Sequence, residues 1–335
     1  MKVLILGGDG FIGSYLRKRH LQNGDKVVIL DKSRIRSPES EEYKFYQQYV
    51  EHNNYSAFGS IIIIETPDFV YNCIAVATPH YYVLEPTATF DLDFSVNYEI
   101  IKILNESKIP FMHFSTSEVY GKTWSEPYNE DTSNMVLGPV NKIRWIYATS
   151  KILLDQLLFA HKSDCCVVRP FNFINHDIDW LPHLDKTDKF WKPRLPSCFL
   201  SALLNNEPIK IVNPGTQRRC YTYIDDAIDA IFSILDNWGT CSGEIINVGT
   251  TNETTVINAA NLMIKYYKDA TNIEPKDPIF VESTDFYGEG YEDSERRYPD
   301  LSKIKLLTGW SSKYNLDETF YSTVTNAINS FYFTK

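Results

Sequence analysis

Positive charge is in short supply in this chain. Its 335 residues carry 33 lysines and arginines against 43 aspartates and glutamates, a net charge of -10. A nucleic-acid or anionic-membrane surface needs a basic footprint, so neither is expected as the main partner. Long apolar stretches are missing too: no aliphatic run exceeds four residues, as in Ile61 to Ile64, and no membrane span follows. The opening MKVLILGGDG runs directly into a strand pattern without an apolar leader core or cleavage site, so no signal peptide is expected. The six cysteines (Cys73, Cys165, Cys166, Cys198, Cys220, Cys241) contain no C-x-x-C pair and no zinc-like spacing. They read as reduced thiols of a cytoplasmic protein. No internal repeat or low-complexity tract is present.

What the chain does contain is globular. Hydrophobic residues make up 43% and charged ones 23%, enough apolar material to exclude disorder. The length exceeds that of one ordinary core, which predicts one large α/β domain and a smaller lobe.

The pattern starts with Val3 to Leu6, an aliphatic run that ends at Gly7, as expected of a parallel strand buried on both faces. Gly7, Gly10 and Gly13 form G-x-x-G-x-x-G, and Phe11 and Ile12 open a helix. The first two glycines allow a tight turn and close approach to a pyrophosphate, the third lets helix and strand pack, and the helix N-terminus faces the phosphates. A second strand, Lys26 to Leu30, ends at Asp31, about where a Rossmann fold grips the adenosine ribose, which favours NAD over NADP. Lys32 and Arg34 weaken that preference, since a 2′-phosphate would use them. Asp9 inside the glycine loop is unusual, and its carboxylate must point away from a bound pyrophosphate.

Ile61 to Ile64 and Phe69 to Val76 are the next aliphatic segments, with Ala75, Val76, Ala77 and Thr78 at the carboxyl end of a strand. Asp91 to Asn105 reads as one amphipathic helix with Leu92, Val96, Ile100 and Ile103 on its core face. Pro110 to Phe114 is a strand that delivers Ser115-Thr116-Ser117-Glu118-Val119-Tyr120-Gly121. Three hydroxyls and a carboxylate are costly to bury without partners, and a substrate hydroxyl is the partner that Thr116 or Ser117 would suit.

The stretch RWIYATSK, Arg144 to Lys151, puts Tyr147 and Lys151 on one helix face. An ammonium close to a phenol favours phenolate, which predicts a base able to take a proton from a sugar hydroxyl during hydride transfer. Cys165 to Pro170 is a further strand, followed by Asn172, and Asp225 to Leu235 a helix. Positive charge is concentrated at Arg194, Lys210, Arg218 and Arg219, which reads as a diphosphate clamp. His176, Asp177, Asp179, His183 and Asp185 lie in a polar, proline-bounded loop with Trp180, Pro182, Trp191 and Pro193. They are not expected to bind metal, and residues 176–193 are expected to form a mobile lid. In FYGEGYEDSERRYP, Phe286 to Pro299, the candidates for substrate contact are Tyr291 and Arg297.

Together the glycine motif, STSEVYG, the Y-x-x-x-K pair and RPFN resemble the extended short-chain dehydrogenase/reductases, the NAD-dependent epimerase/dehydratase family, acting on nucleotide sugars. LGPVNKIRWIYATSK, GEIINVG and GEGYEDSERRYPD are similar, over nearly the full length, to the UDP-glucuronate decarboxylase domain of ArnA and to UDP-xylose and UDP-apiose/UDP-xylose synthases. The resemblance implies a doubly wound Rossmann sheet over residues 1–170 with NAD at Gly7, Gly10, Phe11, Ile12, Gly13, Asp31, Ala75, Tyr147 and Lys151. Residues 171–335 would form the smaller nucleotide-sugar lobe, with segments interleaving across a diffuse boundary. It further implies Thr116 and Ser117 as hydroxyl partners, Glu118 in decarboxylation, Tyr147 with Lys151 as the redox pair, and Arg297 as proton donor. Ala77, Tyr82, Arg144, Asn172, Arg194, Lys210 to Arg219 and Tyr291 would contact the UDP-sugar.

The chain departs from the family in places. Gln48 and Tyr49 replace a glycine-aspartate pair on the adenine side. The Asn175 to Pro196 loop is longer than in the bacterial decarboxylase and closer in length to the apiose-forming branch, yet Ser117 stands where that branch has cysteine. No formyltransferase half is contained in the sequence, so the second activity of the bifunctional enzyme is not expected. A homodimer through a four-helix bundle is expected, with the apolar face around Ile152 to Phe159 compatible with it. The activity so implied is oxidation of UDP-glucuronate at C4 followed by decarboxylation, giving a UDP-4-keto-pentose, UDP-xylose or UDP-apiose. A nucleotide-sugar 4-epimerase or dehydratase, and a silent nucleotide-sugar or NAD-binding module, are the competing readings.

Overall fold

The computed structural model describes residues 1–48, 55–179 and 193–333. Six strands, β1 (Lys2–Leu6), β2 (Lys26–Asp31), β3 (Tyr43–Gln47), β4 (Phe69–Asn72), β5 (Phe111–Phe114) and β6 (Cys165–Pro170), form a parallel sheet with a seventh, Ile245–Val248. The spatial order is Ile245–Val248, β6, β5, β4, β1, β2, β3, so the chain reverses direction across the sheet between β1 and β4. That is the Rossmann arrangement, with its cofactor crevice at the reversal.

Alternation within the strands separates two cores. Val3, Ile5, Val27 and Ile29 face one layer of helices, and Leu4, Leu6, Val28 and Leu30 face the other. The first layer continues without a break into the second lobe, through Phe199, Ile224, Met263 and Phe320. The seventh strand, Ile245–Val248, pairs with β6 although it lies well beyond residue 170. Residues before and after 170 thus share one sheet and one apolar core.

Two segments take a form that their sequence pattern hides. Ile61 to Ile64 belong to the helix Tyr55–Glu65, with Ile61 and Ile62 buried and Ile63 and Ile64 exposed. The Asp91 to Asn105 pattern divides into a π-helical segment, Asp91–Val96, and the α-helix Asn97–Ser107. Asp93 and Asn97 are both fully buried there. Asn97 donates to the carbonyls of Leu92 (2.8 Å) and Ile74 (3.1 Å), and a polar group that bonds backbone this way widens a helical turn.

In the second lobe, Arg218–Cys220 pairs antiparallel with Glu253–Thr255 and parallel with Arg296–Arg297. The register sets Arg297 beside Arg219. This small sheet brings the distant FYGEGYEDSERRYP loop to the site.

Candidate active site

The glycine turn fits a dinucleotide. Gly7 has φ +69°, and a Cβ on Gly13 would lie 2.6 Å from the Gly7 carbonyl oxygen, so neither tolerates a side chain. The helix Phe11–Gln22 begins at Gly10 with no side-chain cap and no acid in its first turn, leaving its N-terminus to a phosphate. Asp9 points away as required: its carboxylate accepts the N–H groups of Ile35 and Arg36, the latter at 3.0 Å. Asp31 accepts the N–H of Asp9 (2.9 Å) and of Ser33 (3.2 Å), one bond to each oxygen, which leaves lone pairs for ribose hydroxyls. Gln48 follows β3, its N–H on the Asp31 carbonyl at 2.8 Å, while Tyr49 lies outside the described residues. Ala75 and Ala77 flank Val76 past the end of β4.

β5 ends in a short 3-10 turn, Ser117–Tyr120, capped by Thr116, whose hydroxyl accepts the Glu118 N–H at 3.1 Å. Ser115 through Tyr120 are all buried. Tyr147 is 4% exposed and lies in the helix Ile146–His161. The buried ring of Tyr82 stacks on it at 4.5 Å and 9°.

Tyr147 and Lys151, the expected redox pair, are placed differently from the sequence expectation. Lys151 Nζ donates to the Phe114 carbonyl at 3.1 Å and faces Asp93 at 3.6 Å, instead of bonding the phenol. Burial, with the charges of Asp93 and Glu118, pushes the Tyr147 phenol well above its ordinary value, against the Thr116 hydroxyl and Arg194, which favour ionisation. The expected lowering is therefore absent in this state, because the ammonium is already matched by a carboxylate and the phenol is dry. Burial also lowers Lys151, partly offset by Asp93.

Glu118 is held from two sides, by Arg144 at 2.8 Å and Arg297 at 3.2 Å. Asp293 takes Arg297 at 3.2 Å and Arg219 at 2.8 Å. Three buried guanidinium groups thus share two carboxylates, leaving one positive charge over. Nε and Nη1 of Arg144 are buried without a hydrogen-bond partner among the described residues. The Arg144 guanidinium lies 5.6 Å from the Tyr291 ring centre, and Tyr291 stacks on Tyr287 at 3.9 Å.

A cavity of about 800 Å³ opens beside this cluster, with Phe199, Lys210, Arg218, Tyr287, Tyr291 and Arg296 among its walls. That volume suits a nucleotide-sized ligand. Tyr147 is not one of its walls; Tyr291, Asp293 and Ser294 connect it to the arginine cluster. Of the expected phosphate clamp, Lys210 and Arg218 face the cavity, but Arg218 is paired with Glu253 at 2.8 Å. Arg194 is committed to Asp179 (2.7 Å) and the Ile178 carbonyl, and Arg219 to Asp293. Asn172, at φ +42°, uses its amide on the Cys220 carbonyl at 3.0 Å. No cluster able to hold a metal occurs among the described residues, in line with His176 and Asp177 bonding Asn175 and Tyr15. Trp180, Pro182, His183, Asp185 and Trp191, with most of the expected lid, lie outside the described residues.

Sequence reasoning missed Asp93 and Asp293. Asp93 stands four before Asn97, a helical spacing that sets the two polar side chains on one face. Asp293 lies between Tyr291 and Arg297, where a third arginine needing a partner gives it away only in three dimensions.

The sequence profile of the NAD dependent epimerase/dehydratase family matches residues 3–249. UDP-D-apiose/UDP-D-xylose synthase 1 of Arabidopsis thaliana is 32% identical, covering 97% of this chain and 90% of that protein. The UDP-D-apiose/UDP-D-xylose synthase of Oryza sativa subsp. japonica is 33% identical, covering 97% and 88%. The crystal structure of PbgP3 protein from Burkholderia pseudomallei superposes with a TM-score of 0.81 at 30% identity, covering 97% of this chain and 95% of that one. With a profile match over most of its length and relatives similar along nearly all of it, the chain belongs to the NAD dependent epimerase/dehydratase family and is an enzyme whose cofactor is NAD.

Proposed function

We propose that this enzyme oxidises UDP-glucuronate at C4 and then removes its carboxylate as carbon dioxide. The observation that carries the reading is the surplus positive charge of the Arg144, Arg219 and Arg297 cluster, with two buried Arg144 nitrogens lacking a partner among the described residues, three residues from Tyr147. A sugar carboxylate matches both the charge and the unmet donors. The relatives named as synthases of UDP-apiose and UDP-xylose support the same substrate class.

NAD, held at the glycine turn and Asp31, supplies the hydride acceptor. Tyr147, as the phenolate, receives the proton of the 4-hydroxyl, with Thr116 and Ser117 orienting that oxygen. The resulting β-keto acid loses carbon dioxide because the ketone accepts the electrons. Glu118, paired with Arg144 and Arg297, does not act by bare charge repulsion; it holds the two guanidinium groups in place against the carboxylate. Burial alone would lower the Arg297 guanidinium, but Glu118 and Asp293 raise it overall, so it orients the proton source for C5 instead of giving up its own proton. UDP lies in the cavity with Lys210 and Arg218, and the enzyme works as a homodimer through the helix Ile146–His161.

Incubation with NAD and UDP-glucuronate should release carbon dioxide and form a UDP-pentose. Mass spectrometry and NMR of the nucleotide products distinguish UDP-4-keto-pentose, UDP-xylose and UDP-apiose. Formation of a hexuronate epimer with no carbon dioxide would replace this reading with that of a 4-epimerase.

A further inference from the structure

Asp93 is a fully buried carboxylate that the reaction above does not use. It lies in the π-helical segment Asp91–Val96, and turns widened in this way occur disproportionately at functional positions. Oδ2 accepts the Val76 N–H at 3.3 Å, just past the end of β4. Oδ1 has no hydrogen-bond partner among the described residues, and Lys151 Nζ stands 3.6 Å from it. Both side chains are fully buried. A carboxylate so placed is tolerated only with a cation at hand.

We propose that Asp93 is a positioning residue of the redox site: it holds the Lys151 ammonium off the Tyr147 phenol, and its charge decides how much of that ammonium's field the phenol feels. The assignment rests on reading Tyr147 and Lys151 as the redox pair. The other charges facing these groups are matched elsewhere. On the helix Ile146–His161, Asp155 is paired with Arg169 at 2.8 Å. Glu118 is taken by Arg144 and Arg297, and Arg194 by Asp179. On β5, His113 stays neutral through burial, and burial likewise keeps the proton on Cys73 after β4 and on Tyr82 beneath Tyr147. Lys151 is therefore left to Asp93, and Asp93 to Lys151.

The pair changes charge near neutrality, since burial raises the Asp93 carboxyl to about 7 against the pull of Lys151. Ionised Asp93 cancels the ammonium and the phenol keeps its proton. Protonated Asp93 leaves the ammonium unopposed and the phenol more acidic.

The test uses full-length Asp93→Asn and Asp93→Glu. Tyr147 ionisation is read without substrate, as the phenolate absorbance difference between each protein and its Tyr147→Phe counterpart. In Asp93→Asn the phenol should titrate about one pH unit or more below the wild-type protein, while Asp93→Glu stays with the wild type. With NAD and UDP-glucuronate, the acid limb of kcat/KM should move down in parallel, with KM for the nucleotide sugar within about twofold. An unmoved phenol titration in Asp93→Asn overturns the proposal, because a residue that only accepts the Val76 N–H leaves the phenol where it is. If UDP-glucuronate is not turned over by any of the proteins while the phenol titration still shifts, the substrate reading fails and the Asp93 assignment stands. If Asp93→Asn does not fold, the wild-type chain decides: its Tyr147 should ionise above the ordinary tyrosine value of about 10, and titration at or below that value overturns the proposal.

Discussion

Glu118 is held at its two oxygens by two buried arginines, so its removal is felt in both stability and chemistry. Glu118→Gln keeps the shape but leaves Arg144 and Arg297 facing a neutral amide, and a loss of about 3 kcal/mol is expected in urea unfolding. Tyr147→Phe should instead leave stability nearly unchanged and lower kcat by about 10² to 10⁴, measured as NADH formation in a single turnover. Asp9 has a third kind of effect. Its carboxylate ties the glycine turn to Ile35 and Arg36, so Asp9→Ala releases the loop that borders Asp31, the proposed ribose partner. The expected result is an increase of about tenfold in the Kd for NAD by calorimetry, equivalent to about 1.4 kcal/mol, with UDP-sugar affinity unaffected. Asp9, Asp31, Tyr147 and Lys151 were all visible in the sequence because each sits at a fixed offset inside a local motif. Asp293 was not, since its partners Arg219 and Arg297 are drawn together by strand pairing.

Elements carry their own electrostatics. The helix Tyr55–Glu65 ends in Glu65, which is buried and bonded by Lys2 (2.7 Å), Lys44 (3.1 Å) and the Tyr46 hydroxyl, tying β1 and β3 to the helix end. Burial acts to raise its carboxyl, but these three donors outweigh it and hold it at about 2. The folded value lies below the unfolded one near 4.3, so the stabilisation is fully present above that pH and is lost as pH falls toward about 2. Glu65→Gln should be less stable by about 2 kcal/mol at pH 7, with the difference from wild type shrinking as urea midpoints are compared at pH 4 and then 3. The same helix shows why Ile61 to Ile64 could not be placed from pattern alone: four consecutive isoleucines have no period, and only packing sends two inward and two to solvent. The π-helical segment was hidden for a related reason, as Leu92, Val96 and Ile100 keep helical spacing whether or not one turn is widened.

Across the whole molecule one apolar cluster runs from Val3 to Ile328, and Ile245–Val248 completes the first sheet from within the second half of the chain. Thermal unfolding should therefore be a single transition by calorimetry, with no separate melting of residues 171–335. The helix Ile146–His161 leaves Leu153 38% and Phe159 67% exposed, on the outer side of the helix that carries Tyr147. Light scattering should give twice the chain mass, and Leu153→Glu with Phe159→Glu should halve it while the monomer keeps its circular dichroism. The Rossmann strands, the glycine turn, Asp31 and the Tyr147–Lys151 spacing could be read from the chain alone, because each depends on contacts within a few residues and on periodicities of the backbone. The pairing of Lys151 with Asp93, the clamp of Arg144 and Arg297 on Glu118, and the commitment of Arg194 and Arg219 to carboxylates came only with the tertiary structure. Where a buried charge finds its counter-ion depends on which distant segments the sheets bring into register, and no local pattern encodes that distance.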